Sequence, residues 1–244
     1  MADHTRPRAV PLMSRRDAIA WLGTAGLAIL GAGCGSGAPG TAAPSARTSR
    51  AAGSPLPQGA AACVLTPELT EGPYYIPGEA VRGDITEGRP GVPLRLEIGV
   101  VEAENCTPVP GAMVEVWHAD AGGAYSGFGA ASSNRTFLRG VQVTSAGGVS
   151  RFTTIYPGWY QGRAVHIHLK VRRGEGAVHT GQLFFEERIT DAVHGKPPYS
   201  GHAGRRTANT EDSIFADGGP ESLLRLSPDG NGYLGGITIG LRSA

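Results

Sequence analysis

The chain has 244 residues, 40% of them hydrophobic, and a formal net charge of +1. That charge creates no field favouring nucleic acid or an acidic surface, and the hydrophobic share is too high for a globally disordered chain. Gly and Pro number 38 and 18, about twice their usual share; both weaken helix interiors, and no Gly-X-Y period runs through the chain, which leaves a turn-rich, all-β protein.

Residues 1–17 are polar and contain Ser14-Arg15-Arg16-Asp17. An uncharged stretch follows from Ala18 to Gly33. It is short for a membrane span, which needs about 20 residues. A basic segment, an apolar run and small residues beyond it describe a signal peptide. The Arg15-Arg16 pair resembles a twin-arginine export signal, with Ala18-Ile19 standing where that motif has Phe-Leu. Leu30-Gly31-Ala32-Gly33-Cys34 resembles a lipoprotein cleavage site, in which the cysteine becomes the lipidated first residue. Gly31 departs from it, because the motif has an aliphatic side chain there. Plain signal cleavage, discarding Cys34, is the alternative.

Residues 1–34 are therefore assigned to export and 35–62, mostly Gly, Ala, Pro, Ser and Thr, to a flexible tether. Residues 63–244 are expected to form one globular domain. The expected location is outside the cytoplasm, secreted or anchored to the outer face of the cell membrane through Cys34. Cys63 and Cys106 then remain for an oxidising compartment, where they can pair. Closing the loop between them would stabilise the fold by roughly 4 kcal/mol. Two unpaired thiols are the alternative.

The domain reads as short strands. Leu94 to Val100 and Ala112 to Trp117 alternate apolar and mostly polar residues, the period of a half-buried strand. Val141 to Val143 and Arg151 to Ile155 follow, separated by an Ala146-Gly147-Gly148 turn. Val165, Ile167, Leu169 and Val171 fall on one face of the next strand, with His166, His168 and Lys170 on the other. Gln182 to Phe185 is a further strand, and residues 186–222 read as an ordered loop with a short helix. Leu223 to Leu226 and Tyr233 to Leu241 flank Pro228-Asp229-Gly230-Asn231-Gly232, a hairpin signal. Strands of this length and spacing predict a β-sandwich or barrel.

Residues two apart on a strand point the same way, so His166 and His168 face one site and can clamp a metal. Alone the pair is a weak signal, because many such histidines are surface or hydrogen-bonded residues. Upstream lie two turns that present tyrosines: Trp117-His118-Ala119-Asp120-Ala121-Gly122-Gly123-Ala124-Tyr125 and Tyr156-Pro157-Gly158-Trp159-Tyr160-Gln161-Gly162-Arg163.

Together with Leu65-Thr66-Pro67-Glu68, Glu71-Gly72-Pro73-Tyr74-Tyr75, Asp84-Ile85-Thr86-Glu87-Gly88 and Leu138-Arg139-Gly140-Val141-Gln142, these segments resemble the intradiol ring-cleavage dioxygenases, and among them a small exported branch. The resemblance runs from Leu65 to Phe185, in order and spacing. It implies a β-sandwich holding one Fe(III) per chain through Tyr125, Tyr160, His166 and His168. It further implies Arg163 and Gln182 as stabilisers of charge on the substrate, with Tyr160 released as a base. The implied substrates are a catechol-type diol and O2, and the implied product is a cis,cis-muconate. Pro73, Tyr74, Tyr75 and Trp159 are expected to shape the pocket. The cytosolic catechol enzymes dimerise through a long helical N-terminal segment; this chain lacks that pattern, so their dimer is not carried over.

Fe(III) is a hard cation and phenolate a hard donor, which suits the tyrosines. Two other readings stay open at this point. One is an exported, non-catalytic β-sandwich binding module. The other is a zinc hydrolase built on His166 and His168, which needs a third ligand; His118 and Asp120 are the nearby candidates. His179, His194 and His202 are expected to be solvated.

Overall fold

The computed structural model describes residues 66–174 and 178–242. The Arg15-Arg16 signal, Cys34, the 35–62 tether and Cys63 lie outside the described residues. The strands are β1 (Pro93–Glu102), β2 (Met113–Trp117), β3 (Arg139–Val143), β4 (Val149–Ile155), β5 (His166–Arg172), β6 (Val178–Phe184), β7 (Arg225–Asp229) and β8 (Gly232–Leu241). They form two four-stranded sheets, ordered β4-β1-β8-β7 and β3-β2-β5-β6. The architecture is the all-β sandwich expected from the sequence.

In the first sheet β1 pairs antiparallel with β4 but parallel with β8. The β7–β8 hairpin closes over Gly230-Asn231, with Asp229 opposite Gly232. The Gly-rich turn signal is thus used, inside the predicted span. Strand β6 begins at Val178 and ends at Phe184, so the predicted Gln182 to Phe185 segment is its second half. The 186–222 stretch holds two helices, α1 (Glu187–His194) and α2 (Ser213–Ala216), and three 3-10 turns. Helix α1 buries Ile189 and Val193 against the core. Among the described residues no helix is long and apolar enough to cross a membrane.

The core lies between the sheets. Leu94, Leu96, Ile98 and Val100 from β1 meet Val114 and Val116 from β2 and Ile167, Leu169 and Val171 from β5. Each such side chain stabilises the fold by roughly 1.5–3 kcal/mol when fully buried. Because strand side chains alternate, these residues commit their neighbours to the other face of the second sheet. Register then aligns that face. Arg139 is opposite Trp117, Trp117 is opposite His168, and His168 is opposite Gln182. One row of functional side chains therefore crosses all four strands on the outer face of the sheet.

Cys106, just after β1, is disulfide-bonded. Cys63, its expected partner, lies outside the described residues.

Candidate metal centre

Two turns deliver the tyrosines, and Asp120 organises both. Its carboxylate accepts the Gly122 and Ala124 amides, each at 3.0 Å, and its backbone carbonyl accepts the Gly123 amide at 2.9 Å. The same carbonyl accepts the Gly158 amide at 3.1 Å, tying the Tyr160 turn to the Tyr125 turn. The approach is tight enough to require glycine on both sides. A Cβ on Gly158 would lie 2.1 Å from the Asp120 carbonyl oxygen, and one on Gly123 would lie 2.2 Å from that of Trp159. Gly123 also has φ +84°, which other residues rarely adopt. Arg89 pairs with the remaining Asp120 oxygen.

Tyr125, Tyr160, His166 and His168 converge. The Nε2 atoms of His166 and His168 are 3.1 Å apart, and the Tyr160 hydroxyl lies 3.3 Å from His166 Nε2. The Tyr125 ring is 5.7 Å from that of Tyr160 and 6.0 Å from that of His168, centroid to centroid. Tyr125 is buried, whereas Tyr160 is only partly buried. Tyr74 stacks on Tyr125 at 4.2 Å, and Trp117 stacks on His168 at 5.0 Å with only 2° between the planes. Gly72 presses on the other side; a Cβ there would lie 3.0 Å from His168 Cε1.

The protonation states follow from these contacts. His166 Nδ1 lies 2.6 Å from the Ala164 carbonyl, which can only accept, so Nδ1 carries the hydrogen. Burial, reinforced by the Arg163 charge, lowers the His166 pKa to about 3. His166 is therefore neutral and presents the Nε2 lone pair. Burial also holds His168 well below the ordinary histidine range, with His166 adding to the effect. Burial raises both phenols, Tyr125 far above its ordinary value. The Tyr125 hydroxyl is buried yet completes no hydrogen bond, although the Tyr160 phenol interacts with it.

These residues fit a ferric ion. Two neutral imidazoles offer nitrogen lone pairs without losing a proton. Two phenols offer hard oxygens that a bound cation would deprotonate, as it does a coordinated thiol. The buried Tyr125 oxygen, which completes no hydrogen bond, would gain a strong partner. A zinc site of the usual kind fits less well. Among the described residues no three His, Cys, Asp or Glu side chains could hold a metal. His118 is engaged at both nitrogens, 2.8 Å from the Ala119 carbonyl and 2.7 Å from Thr154 Oγ1. Asp120 is committed to its turn.

Arg163 and Gln182 are brought together beside the histidines. Arg163 Nη2 donates to Gln182 Oε1, and Gln182 Nε2 donates to the Thr70 carbonyl at 2.8 Å. Arg163 Nε donates to Asp212 Oδ2 at 2.9 Å, and the Ala164 amide donates to the same oxygen at 2.7 Å. Burial alone would raise the Asp212 carboxyl; the Ala164 amide and the Arg163 charge outweigh it and hold the group below its ordinary value. The other Asp212 oxygen caps α2 through the Ile214 amide. Sequence reasoning missed Asp212 and Thr70. An aspartate before Ser213-Ile214-Phe215 signals a helix cap, but nothing local points it at an arginine 49 residues away.

The expected pocket residues divide. Tyr74 contacts both tyrosines. Pro73 is exposed. Tyr75 leans on Trp117 but sends its hydroxyl to Arg172 and Glu115, away from the histidines. Trp159 joins the main core and stacks on His202. The expectation of solvated histidines is corrected. His179 is buried; His194 is half-buried, its Nε2 donates to the Pro157 carbonyl at 3.0 Å and its ring stacks on Tyr199; and His202, also half-buried, is held against Trp159. The 157–159 turn packs against His194 and His202.

The sequence model of a family described as dioxygenase matches residues 70–193. Catechol 1,2-dioxygenase 1 of Acinetobacter lwoffii is 38% identical over 101 residues, covering 39% of this chain and 32% of that protein. Chlorocatechol 1,2-dioxygenase of Rhodococcus opacus is 27% identical over 139 residues, covering 49% of this chain and 54% of that protein. The chain thus spans about a third to a half of the length of the curated relatives it matches. Among solved structures, an intradiol ring-cleavage dioxygenase from Tetranychus urticae superposes with a TM-score of 0.70 at 34% identity, over 74% of this chain and 95% of that one. A match across half the sequence, one fold, and a likeness at that identity over 74% of the chain lead to one conclusion: the chain belongs to the intradiol ring-cleavage dioxygenase family.

Proposed function

We propose that the protein is a non-haem Fe(III) dioxygenase that opens a catechol-type ring between its two hydroxylated carbons, placing both atoms of O2 in a cis,cis-muconate-type product. One observation carries this reading: two phenols and two neutral imidazoles converge on the outer face of the sheet, with no carboxylate among them. One ferric ion per chain, held by Tyr125, Tyr160, His166 and His168, would supply the Lewis acidity that binds the diol and activates its ring carbon toward O2.

The chain's own residues have separable roles. Tyr160 is less buried than Tyr125, and its oxygen is the one placed to leave its partner and accept a proton from an incoming diol. Tyr125, buried and clamped by Tyr74, stays in place. Arg163 carries a fixed positive charge toward negative charge developing on the substrate oxygens. Asp212 and Gln182 hold that guanidinium from two sides, so it needs little reorganisation. Trp117 and Gly72 confine the His168 ring.

The export signal, the 35–62 tether and a catalytic domain from residue 63 belong to the same reading. A disulfide-bonded Cys106 supports an oxidising compartment. Pairing with Cys63 and lipidation of Cys34 are the finer proposals.

Purified protein should be red-brown from tyrosinate-to-iron charge transfer, with about one iron per chain, as one set of four converging ligands implies. It should consume O2 with at least one member of a panel of catechol, hydroxyquinol, protocatechuate and lignin-derived catechols. A colourless protein that cannot be loaded with iron would overturn the reading. Iron-loaded protein that consumes no O2 with any diol would favour the binding module.

A further inference from the structure

Arg139 stands at the end of the row that crosses the outer face, and the proposed chemistry gives it no role. Its side chain is buried, with 1% exposure. Its hydrogen bonds go almost entirely to neutral oxygens. Nε lies 3.1 Å from the Ser126 carbonyl and 2.9 Å from Ser126 Oγ, Nη2 lies 2.8 Å from the same carbonyl, and Nη1 lies 2.7 Å from the Tyr74 carbonyl. The nearest carboxylate, Glu79, stays 3.8 Å away. Burial, partly offset by Arg139, holds the Glu79 carboxyl above its usual range. A buried cation with poor compensation is costly.

The guanidinium carbon sits 5.8 Å from the centre of the Tyr125 ring, within cation–π range, and 5.5 Å from that of Phe128. The residues that accept from Arg139 flank Tyr125. Ser126 follows it in sequence, and Tyr74 stacks on its ring. Arg139 is therefore bolted to both neighbours of Tyr125 and faces the ring itself.

We propose that Arg139 is a positioning residue that helps set the charge environment of Tyr125: together with Arg163, its guanidinium is a counter-charge to the Tyr125 phenolate in the iron-loaded protein. This rests on the ferric reading above. A positive charge beside the ligand weakens its donation and favours the ferrous state relative to the ferric one. Arg139 thus biases the Fe(III)/Fe(II) potential upward, and Glu79 opposes it.

The test is a redox titration of the iron-loaded protein, followed through its charge-transfer absorption. Arg139→Gln should lower the midpoint potential relative to wild type. Arg139→Lys, which keeps the charge but not the planar fork, should return the potential toward wild type even where stability falls. Glu79→Gln should shift the potential the opposite way, upward. Equal shifts in Arg139→Gln and Arg139→Lys would reduce Arg139 to a structural strut and overturn the proposal. If Arg139→Gln does not fold, Glu79→Gln decides alone: an unchanged or lowered potential overturns it. A wild-type chain that takes up no iron removes the ferric reading itself. Iron-loaded wild type with unmoved variant potentials removes only the role of Arg139.

Discussion

The two faces of β5 are made by alternate residues of one strand, yet they obey different rules. The inner face presents Ile167, Leu169 and Val171 to the facing sheet. Its contribution scales with buried apolar area and has no direction. The outer face presents His166 and His168, where a ring nitrogen must point at a particular atom. Both faces are buried. Burial on the inner side supplies stability, whereas burial on the outer side removes water and leaves nitrogens neutral. Stability and chemistry are thus separated by one residue step.

Substitutions can break that separation or sharpen it. The largest effect is expected for His168→Ala, which removes a ligand candidate while leaving the inner face intact. It should abolish the charge-transfer colour and lower turnover by at least about a thousandfold, on the scale of losing an essential electrostatic group, with thermal stability of the iron-free protein little changed. Ile167→Ala should do the converse. It should cost about 2–5 kcal/mol in denaturant unfolding while the folded fraction still binds about one iron per chain. If both variants lose iron and stability alike, the two faces are not separable.

His118 gives a pH test on the sheet that carries the site. It is fully buried with both nitrogens engaged, and burial lowers its pKa to about 4. The unfolded chain takes up this proton near the ordinary value of about 6.5. Its contribution is therefore complete above about pH 6.5 and is lost as pH falls toward about 4, by something on the order of 3 kcal/mol. Urea unfolding across that window should show the decline, and His118→Asn should flatten it. The smallest effect is expected for Asp212→Asn, which loosens Arg163 without touching the converging tyrosines and histidines. Turnover should fall by roughly tenfold, with colour and iron content unchanged, as for a weakened supporting contact.

Much of this arrangement is legible in the sequence because it is local. The alternation from Val165 to Val171 separates the faces of β5, and Pro228 to Gly232 marks the hairpin. The two tyrosine turns carry Gly at the points of closest approach, and their resemblance to a known family names Tyr125 and Tyr160. What stays hidden is non-local. The parallel pairing of β1 with β8 leaves no trace in either strand alone. Asp212 sits in a stretch without periodicity, and its partner is reached only when that loop folds back. Arg139 is visible in a matched segment, but its place beside Tyr125 depends on the β2–β3 register. His194 and His202 look like solvated loop residues, because packing against the distant 157–159 turn has no local signature.

The register row has a consequence for how the protein reaches its native state. Sliding β5 by one residue against β2 would set Ile167 or Leu169 over Trp117 and turn both imidazoles into the aliphatic interior. Neither ring would find a hydrogen-bond partner there, at a penalty of roughly 1–3 kcal/mol for each stranded polar group. The residues that would grip the metal therefore also proofread the sheet, and a misaligned chain would be both less stable and unable to take up its ion.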